Sequence, residues 1–192
     1  GVDFFRGSLE DVLDRFYETA HYFKIDTVVR LTADCPLIDP GLIDDVVANF
    51  LEKKYNYFSN CNPPTYPDGL DVEIFSKEML ILAAKNAKLP SHREHVTPFI
   101  KKIAGKDKMG NLKSEIDYSK LRWTVDNRSD FVFVQEIFSR LYNYNNAFTW
   151  YDVLSLVKQN PDLSNINSNI LRNSGKQSSL KKDREFLNYD SS

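Results

Sequence analysis

Apolar residues recur at helical spacing in several stretches of this chain, and short unbroken apolar runs lie between them, which predicts alternating helices and strands. Leu9, Val12, Leu13, Phe16, Ala20 and Phe23 follow Ser8 and Asp11, a near capping box, and predict an amphipathic helix. Thr27 to Leu31 is β-branched and apolar, as in a buried parallel strand. Asp39 caps and Pro40 begins a helix carrying Leu42, Ile43, Val46, Val47 and Phe50. Tyr55 to Ser59 predicts a strand, and the proline-rich stretch from Asn60 to Pro67 a loop.

After the turn Pro67-Asp68-Gly69, strict alternation over Leu70-Asp71-Val72-Glu73-Ile74 predicts a half-buried strand with Asp71 and Glu73 on one face. Ser76 caps a helix through Ala87, and Ser91 with Glu94 predicts a capping box for a helix bearing Val96, Phe99, Ile100 and Ile103. Lys101 to Lys120 is charged and glycine-punctuated, a surface excursion; Leu121 to Val125 returns as a strand ending on Asp126. Helices then start at Ser129 and Thr149, and Pro161 ends the second. Residues 1–160 thus form one unit and 161–192 a polar tail rich in Asn, Ser and Lys, mobile or docked. The alternation predicts an α/β fold with a mostly parallel sheet and helices on both faces.

Composition narrows the chemistry. Of 192 residues 25 are basic and 27 acidic, with neither sign in long blocks, so nucleic acid and anionic membrane surfaces are not expected partners. No apolar run approaches the roughly 20 residues that span a bilayer. Two cysteines, far apart in sequence and without metal-ligand spacing, argue against a disulfide scaffold and a zinc site, and fit a reduced, cytoplasmic setting.

In parallel sheets all strands deliver their carboxyl ends to one edge, where ligands bind. Asp34 and Asp126 each follow a predicted strand, so that edge brings them together. Such a pair suits Mg²⁺ and, through it, phosphates, as nucleotidyl transfer requires. Each alone has a plainer alternative as a turn or capping aspartate. Asp71 and Glu73 can accept hydrogen bonds from sugar hydroxyls or join a metal site, against the alternative of a solvated strand face. Ser91-His92-Arg93-Glu94-His95 puts a guanidinium and two imidazoles in a first helical turn; Arg93 there can clamp a carboxylate or phosphate, Glu94 can simply cap and His95 simply pack. Phosphate-loop, dinucleotide-loop, zinc-protease and nucleophile-elbow motifs are not found in the chain.

Four ordered segments resemble the cytidylyltransferase family, in its spore-coat polysaccharide branch, related to acylneuraminate and 3-deoxy-manno-octulosonate cytidylyltransferases. They are Phe5-Arg6-Gly7-Ser8 with Asp11 to Phe16, Arg30 to Pro40, Asp68 to Phe75, and Arg93 to Pro98. Trp123-Thr124-Val125-Asp126 with Asp130 is similar to the family's late aspartate motif. Ile170-Leu171-Arg172-Asn173 with Ser179 to Asp183 is similar to the branch's tail.

The resemblance implies a Rossmann-like nucleotidyltransferase sheet on which a sugar hydroxyl attacks the α-phosphate of CTP. With Mg²⁺, this gives a CMP-sugar and pyrophosphate for surface polysaccharide or glycan synthesis. It implies Asp34 and Asp126 as the catalytic, metal-holding pair, and Asn60, Asp71, Glu73, Arg93, Glu94 and His95 on the side of the sugar, a sugar acid. A homodimer fits both the family and the aromatic excess. Family members open with a strand and a basic loop of the type A-R-x-x-S-x-R-L-P-x-K around the nucleotide, and the chain carries no such segment. The expectation is therefore a carboxy-terminal portion lacking amino-terminal strands, two βα steps of the order of 30 residues each, with impaired transfer. A non-catalytic sugar- or partner-binding remnant and a glycosyltransferase of related fold are the alternatives; the second usually carries a D-x-D motif that Asp34-Cys35-Pro36 lacks.

Overall fold

The computed structural model describes residues 1–170, 172 and 176–190. In order these form α1 (Val12–Tyr22), β1 (Thr27–Arg30), α2 (Pro40–Lys53), β2 (Tyr57–Ser59), β3 (Glu73–Ser76), α3 (Lys77–Asn86), α4 (Pro90–His95), α5 (Thr97–Ile103), β4 (Met109–Asn111), α6 (Arg128–Leu141), α7 (Trp150–Gln159), α8 (Pro161–Asn165) and α9 (Lys176–Asp190). Helices begin where the chain supplies acceptors for free N–H groups. Asp11 Oδ1 accepts from Asp14 at 2.9 Å ahead of α1, and Asp39 Oδ1 from Leu42 at 2.9 Å ahead of α2. Ser76 Oγ accepts from Met79 at 3.4 Å ahead of α3. Asp130 and Asp152 reach back to the N–H groups of Asn127 and Thr149, starting α6 and α7.

The sheet order is β1-β3-β2-β4. The expected α/β class holds, but the expected mostly parallel pairing does not. β3 is antiparallel to both β1 and β2, and only β2 with β4 is a parallel pair. β1 reaches the co-directional β2 through α2, as a helical crossover allows; residues 60–72 then return to β3 without a helix, which delivers the reverse direction. β1, β2 and β4 still share one direction, so their carboxyl ends still meet at one edge.

Helices cover both faces. Val28, Tyr57 and Phe75 pack with α1, α3 and α5 on one side, and Val29, Phe58 and Ile74 with α2 on the other. β3 is consequently buried on both faces rather than half-buried, Glu73 included. A third cluster gathers Leu70, Trp123 and residues of α6, α7 and α8.

Four local expectations are corrected. The excursion after Lys101 contains β4, whose Gly110 lies so close to Phe58 that a Cβ would stand 2.4 Å from its ring. Leu121 to Val125 is extended but forms no ladder strand; it has a single bridge, Asp68 to Arg122, and threads between two loops. The helix expected from Ser91 splits into α4 and α5. Pro98 cannot donate to a carbonyl one turn back, so the helix breaks, and buried Val96 takes φ +67°, costly for a β-branched residue. The Ser91–Glu94 capping box does not form, because the N–H and Oγ of Ser91 both donate to Asp183 of α9, at 2.9 and 2.6 Å.

Beyond Asn160, Leu163 of α8 joins the third core cluster and α9 lies on α4. Leu171 and Asn173 of the expected tail motif lie outside the described residues. Among the described residues no helix is long and apolar enough to cross a membrane.

Candidate functional site

The register fixes the edge. Arg30 of β1 and Ser59 of β2 both pair with Glu73 of β3, and Ser59 pairs with Asn111 of β4. The loops holding Asp34, Asn60 and Asp71 all leave or enter the sheet here.

Asp34 is exposed in the loop after β1. Its carbonyl accepts the N–H of Val125 at 2.8 Å and the hydroxyl of Thr124 at 3.2 Å, which sets the residue before Asp126 directly on the Asp34 loop. The Asp34 loop and the segment leading to Asp126 are therefore joined by loop-to-loop hydrogen bonds and not by a sheet ladder. Asp126 is held from behind. Arg122 Nη2 donates to its Oδ2 at 2.6 Å while its side chain stays 51% exposed.

Arg122 is the hub of this half and is itself almost fully buried. It donates to both oxygens of Asp130 at 2.9 Å each and to Asp68 at 3.1 Å. Burial would raise the Asp130 carboxyl, but Arg122, Asn167 and the Asp126 N–H outweigh it and hold Asp130 far below the usual carboxylate range. Asp68 shifts upward instead, because its burial outweighs Arg172 and Arg122. Cys35 beside Asp34 is no thiolate: burial first, then the Asp34 charge, push it up to about 11 against hydrogen bonds from Thr32 and Thr124.

Gly69 joins this half to the sheet. It has φ +108°, and a Cβ there would stand 2.6 Å from the backbone of Trp123 and Thr124. That close approach lets Asp68 accept from Trp123 N–H at 2.6 Å and donate to Leu121 at 2.9 Å.

The other half centres on Glu73. Its Oε1 accepts from Tyr57 at 2.6 Å and Lys101 at 3.1 Å, and its Oε2 accepts from Arg30 at 2.8 Å. Burial alone would raise this carboxyl; Lys101, Arg30 and hydrogen bonds from Tyr57 and Thr97 prevail and lower it. Tyr57 is driven far upward by burial and by Glu73, so it stays a donor. Cys61 is pushed up to about 12 by burial, then by Glu73 and Asp71. Asp71 lies in the loop before β3; burial raises it although Arg172 donates to it at very short range. Asn60 is buried, with its amide donating to Leu70 O at 2.7 Å and accepting from Val72 N–H at 2.8 Å. It shapes the loop into β3.

The residues expected around α4 are mostly engaged elsewhere. Arg93 donates to Asp11 at 2.8 and 2.5 Å and to Ala84 O at 2.8 Å, locking α4 to α1 and α3. Glu94 pairs with Lys182 at 3.2 Å, and His95 Nε2 meets Ser179 Oγ at 2.7 Å. Burial first, with Arg30 and Lys182 adding to it against Glu94 and Asp183, lowers His95.

Pattern reading passed over Arg30, Tyr57, Lys101, Arg122 and Arg172. A signal existed for two of them: Arg30 and Arg122 each interrupt an apolar run, where a buried cation must find a carboxylate.

Among the described residues no group of three or more His, Cys, Asp or Glu side chains is placed to hold a metal ion. Two carboxylates, Asp34 exposed and Asp126 half-exposed, nevertheless fit Mg²⁺, which takes one or two carboxylates and completes its shell with water and substrate phosphates.

A family profile described as cytidylyltransferase matches residues 1–163. This chain belongs to the cytidylyltransferase family. It is 36% identical over 177 residues to an uncharacterized protein of Methanocaldococcus jannaschii, covering 91% of this chain and 70% of that one. It is 26% identical over 165 residues to the spore coat polysaccharide biosynthesis protein SpsF of Bacillus subtilis, covering 84% and 67%. Among solved structures, a cytidylyltransferase from Leptospira borgpetersenii superposes with a TM-score of 0.79 at 32% identity, over 88% of this chain and 69% of that one. In this family member the profile therefore spans both halves of the edge and α8 begins within it, while α9 lies beyond it.

Proposed function

We propose that this chain takes part in transferring CMP from CTP to a sugar acid, for surface polysaccharide or glycan synthesis, with pyrophosphate released. The observation that carries the reading is the joining of the Asp34 loop to the Asp126 segment at the carboxyl edge, in a chain of this family. Asp34 and Asp126 would hold Mg²⁺, which when bound neutralises phosphate oxygens. Arg122 keeps Asp126 oriented, and Asp130 holds both Arg122 and the Asp126 backbone in place. A carboxylate with both oxygens free would turn about its bonds; one oxygen fixed on a buried guanidinium lowers the entropy of presenting the other.

The sugar lies on the Glu73 side, where Asp71 is in reach of hydroxyls and Asn60 shapes the loop. The test is pyrophosphate release from CTP and Mg²⁺ with a panel of sugar acids, together with calorimetric binding of CTP and Mg²⁺. Release or CTP binding that is lost in Asp34→Asn and Asp126→Asn supports the reading. If the unchanged chain shows no pyrophosphate release and no CTP binding, the reading is overturned.

A further inference from the structure

The cations at the edge are not equivalent. Arg93 is filled by Asp11 and Ala84, Arg122 by three aspartates, and Arg172 by Asp71, Asp68 and Tyr66 O. Arg30 is different. Its guanidinium engages Glu73 through Nη1 alone, which leaves Nε and Nη2 without a protein partner among the described residues. Lys101 likewise gives one hydrogen bond to Glu73 and otherwise rests over the Tyr57 ring at 5.7 Å. Both side chains are partly exposed, at 20% and 31%, whereas Glu73 beneath them is 6% exposed.

Two cations thus share one buried carboxylate. Tyr57 and Cys61 beside them are held uncharged by their raised pKa values, and Asp71 is paired with Arg172. A surplus positive charge remains on partly exposed donors whose stems are already immobilised, at the same edge as Asp34. A planar guanidinium with free N–H groups next to an ammonium matches one carboxylate of a ligand.

We infer that Arg30 and Lys101, seated on Glu73, form a subsite for the carboxylate of the acceptor sugar acid. This rests on the transfer reading for the identity of the acceptor, not for the existence of the anion site. The anion clamp expected at Arg93 is thereby reassigned, since Arg93 already serves Asp11. Opposite charges divide the edge: carboxylates at Asp34 and Asp126 for a cation, Arg30 and Lys101 for an anion.

The test is direct calorimetric binding to the full chain, without CTP. The probes are a 2-keto sugar acid, its neutral methyl ester, and inorganic phosphate. The acid is expected to bind at least about tenfold more tightly than the ester, as a charge-assisted hydrogen bond implies. Lys101→Met is expected to remove most of that preference, weakening the acid far more than the ester. Arg30→Lys, which keeps the charge and so protects Glu73 and the fold, is expected to weaken the acid through loss of the fork. Equal binding of acid and ester overturns the subsite, and so does equal weakening of both by Lys101→Met. Phosphate binding that depends on Lys101 without any acid preference also overturns it, by assigning the cations to a phosphate. Because pyrophosphate is not read, a chain that fails to turn over CTP counts against the transfer reading and leaves this result intact.

Discussion

Arg122 and Asp130 form a two-pronged pair inside the protein, Nε to Oδ1 and Nη2 to Oδ2, each at 2.9 Å, with the guanidinium 4% exposed and the carboxylate fully buried. The same carboxylate accepts the N–H groups of Asp126 and Asn127. One buried contact therefore supports both the start of α6 and the aspartate proposed to hold a metal.

Asp130→Asn leaves Arg122 short of its main counter-charge in a buried place. Breaking such a pair by removing one partner costs about 3–5 kcal/mol. Urea unfolding should show a loss in that range, and a loss under about 1 kcal/mol would mean that Asp68 and Asp126 suffice for Arg122.

The pair also carries a pH dependence. Asp130 is depressed in the folded chain, so its contribution is fully present above its unfolded value of about 4 and disappears as the pH falls through the lower folded value. Glu73 acts in the same direction. Asp68 and Asp71, raised by burial, act in the opposite direction just above that range. Thermal melts from neutral pH downward should lose stability at acid pH, and Asp130→Asn should flatten that acid slope; an unchanged slope would remove Asp130 as its source.

The elements were legible where local chemistry decides them. Asp39 with Pro40, Ser76, and Thr149 mark helix starts that the structure keeps, because a cap needs only the next three residues. The sheet was not legible in the same way. Val28 and Val29 look alike in a parallel or antiparallel neighbourhood, and the direction of β3 depends on how residues 60–72 travel. β4 is three residues with a glycine, too short to show a period. At the site, Asp34 and Asp126 were visible as carboxylates after apolar runs. Their setting was not, since Arg122 gathers Asp68 from one loop, Asp126 from another and Asp130 from the first turn of α6. Arg93 shows the converse: its residue type suits an anion clamp, but Asp11, 82 positions away, takes it.

Gly69 tests the link between the two halves of the edge. Alanine there meets the backbone of Trp123 and Thr124 and must also hold φ +108°. Neither obstacle yields by turning a side chain. Gly69→Ala should cost more than about 1 kcal/mol and should shift the Asp126 segment from Asp34. A fall in metal-dependent CTP binding larger than that caused by an equally destabilising core substitution such as Ile137→Val checks this. Equal falls would show that Gly69 matters for stability alone.

The tail helix makes a separate prediction through His95. Ser179 meets this imidazole and Asp183 caps α4 one turn earlier, with Glu94 and Lys182 alongside. Burial lowers His95, so the docked helix favours neutral imidazole. Docking is then complete above the ordinary histidine value near 6.5 and weakens as the pH falls below it. Ser91→Ala, which removes the hydroxyl bond to Asp183 without removing a charge near His95, should loosen α9 and move the His95 titration, followed by NMR, up toward the ordinary value. An unmoved titration would show that α9 does not bury His95 in solution.

Asp39 is a cap used twice. Oδ1 accepts Leu42 N–H at the start of α2, and Oδ2 accepts Trp150 N–H at the start of α7, both at 2.9 Å. The residue is 5% exposed, so water cannot replace either bond. A single cap lost to alanine costs about 0.5–2 kcal/mol; two losses from one buried side chain should approach the sum, about 1–4 kcal/mol. Asparagine keeps one acceptor oxygen and presents an amide donor to the other N–H. Asp39→Asn should therefore lose nearly as much as Asp39→Ala, because an amide facing an N–H satisfies neither donor. Chemical denaturation of the two variants decides the point. If Asp39→Asn keeps most of the wild-type stability, one of the two caps contributes little and the joint between α2 and α7 rests on the packing of Trp150 and Leu42.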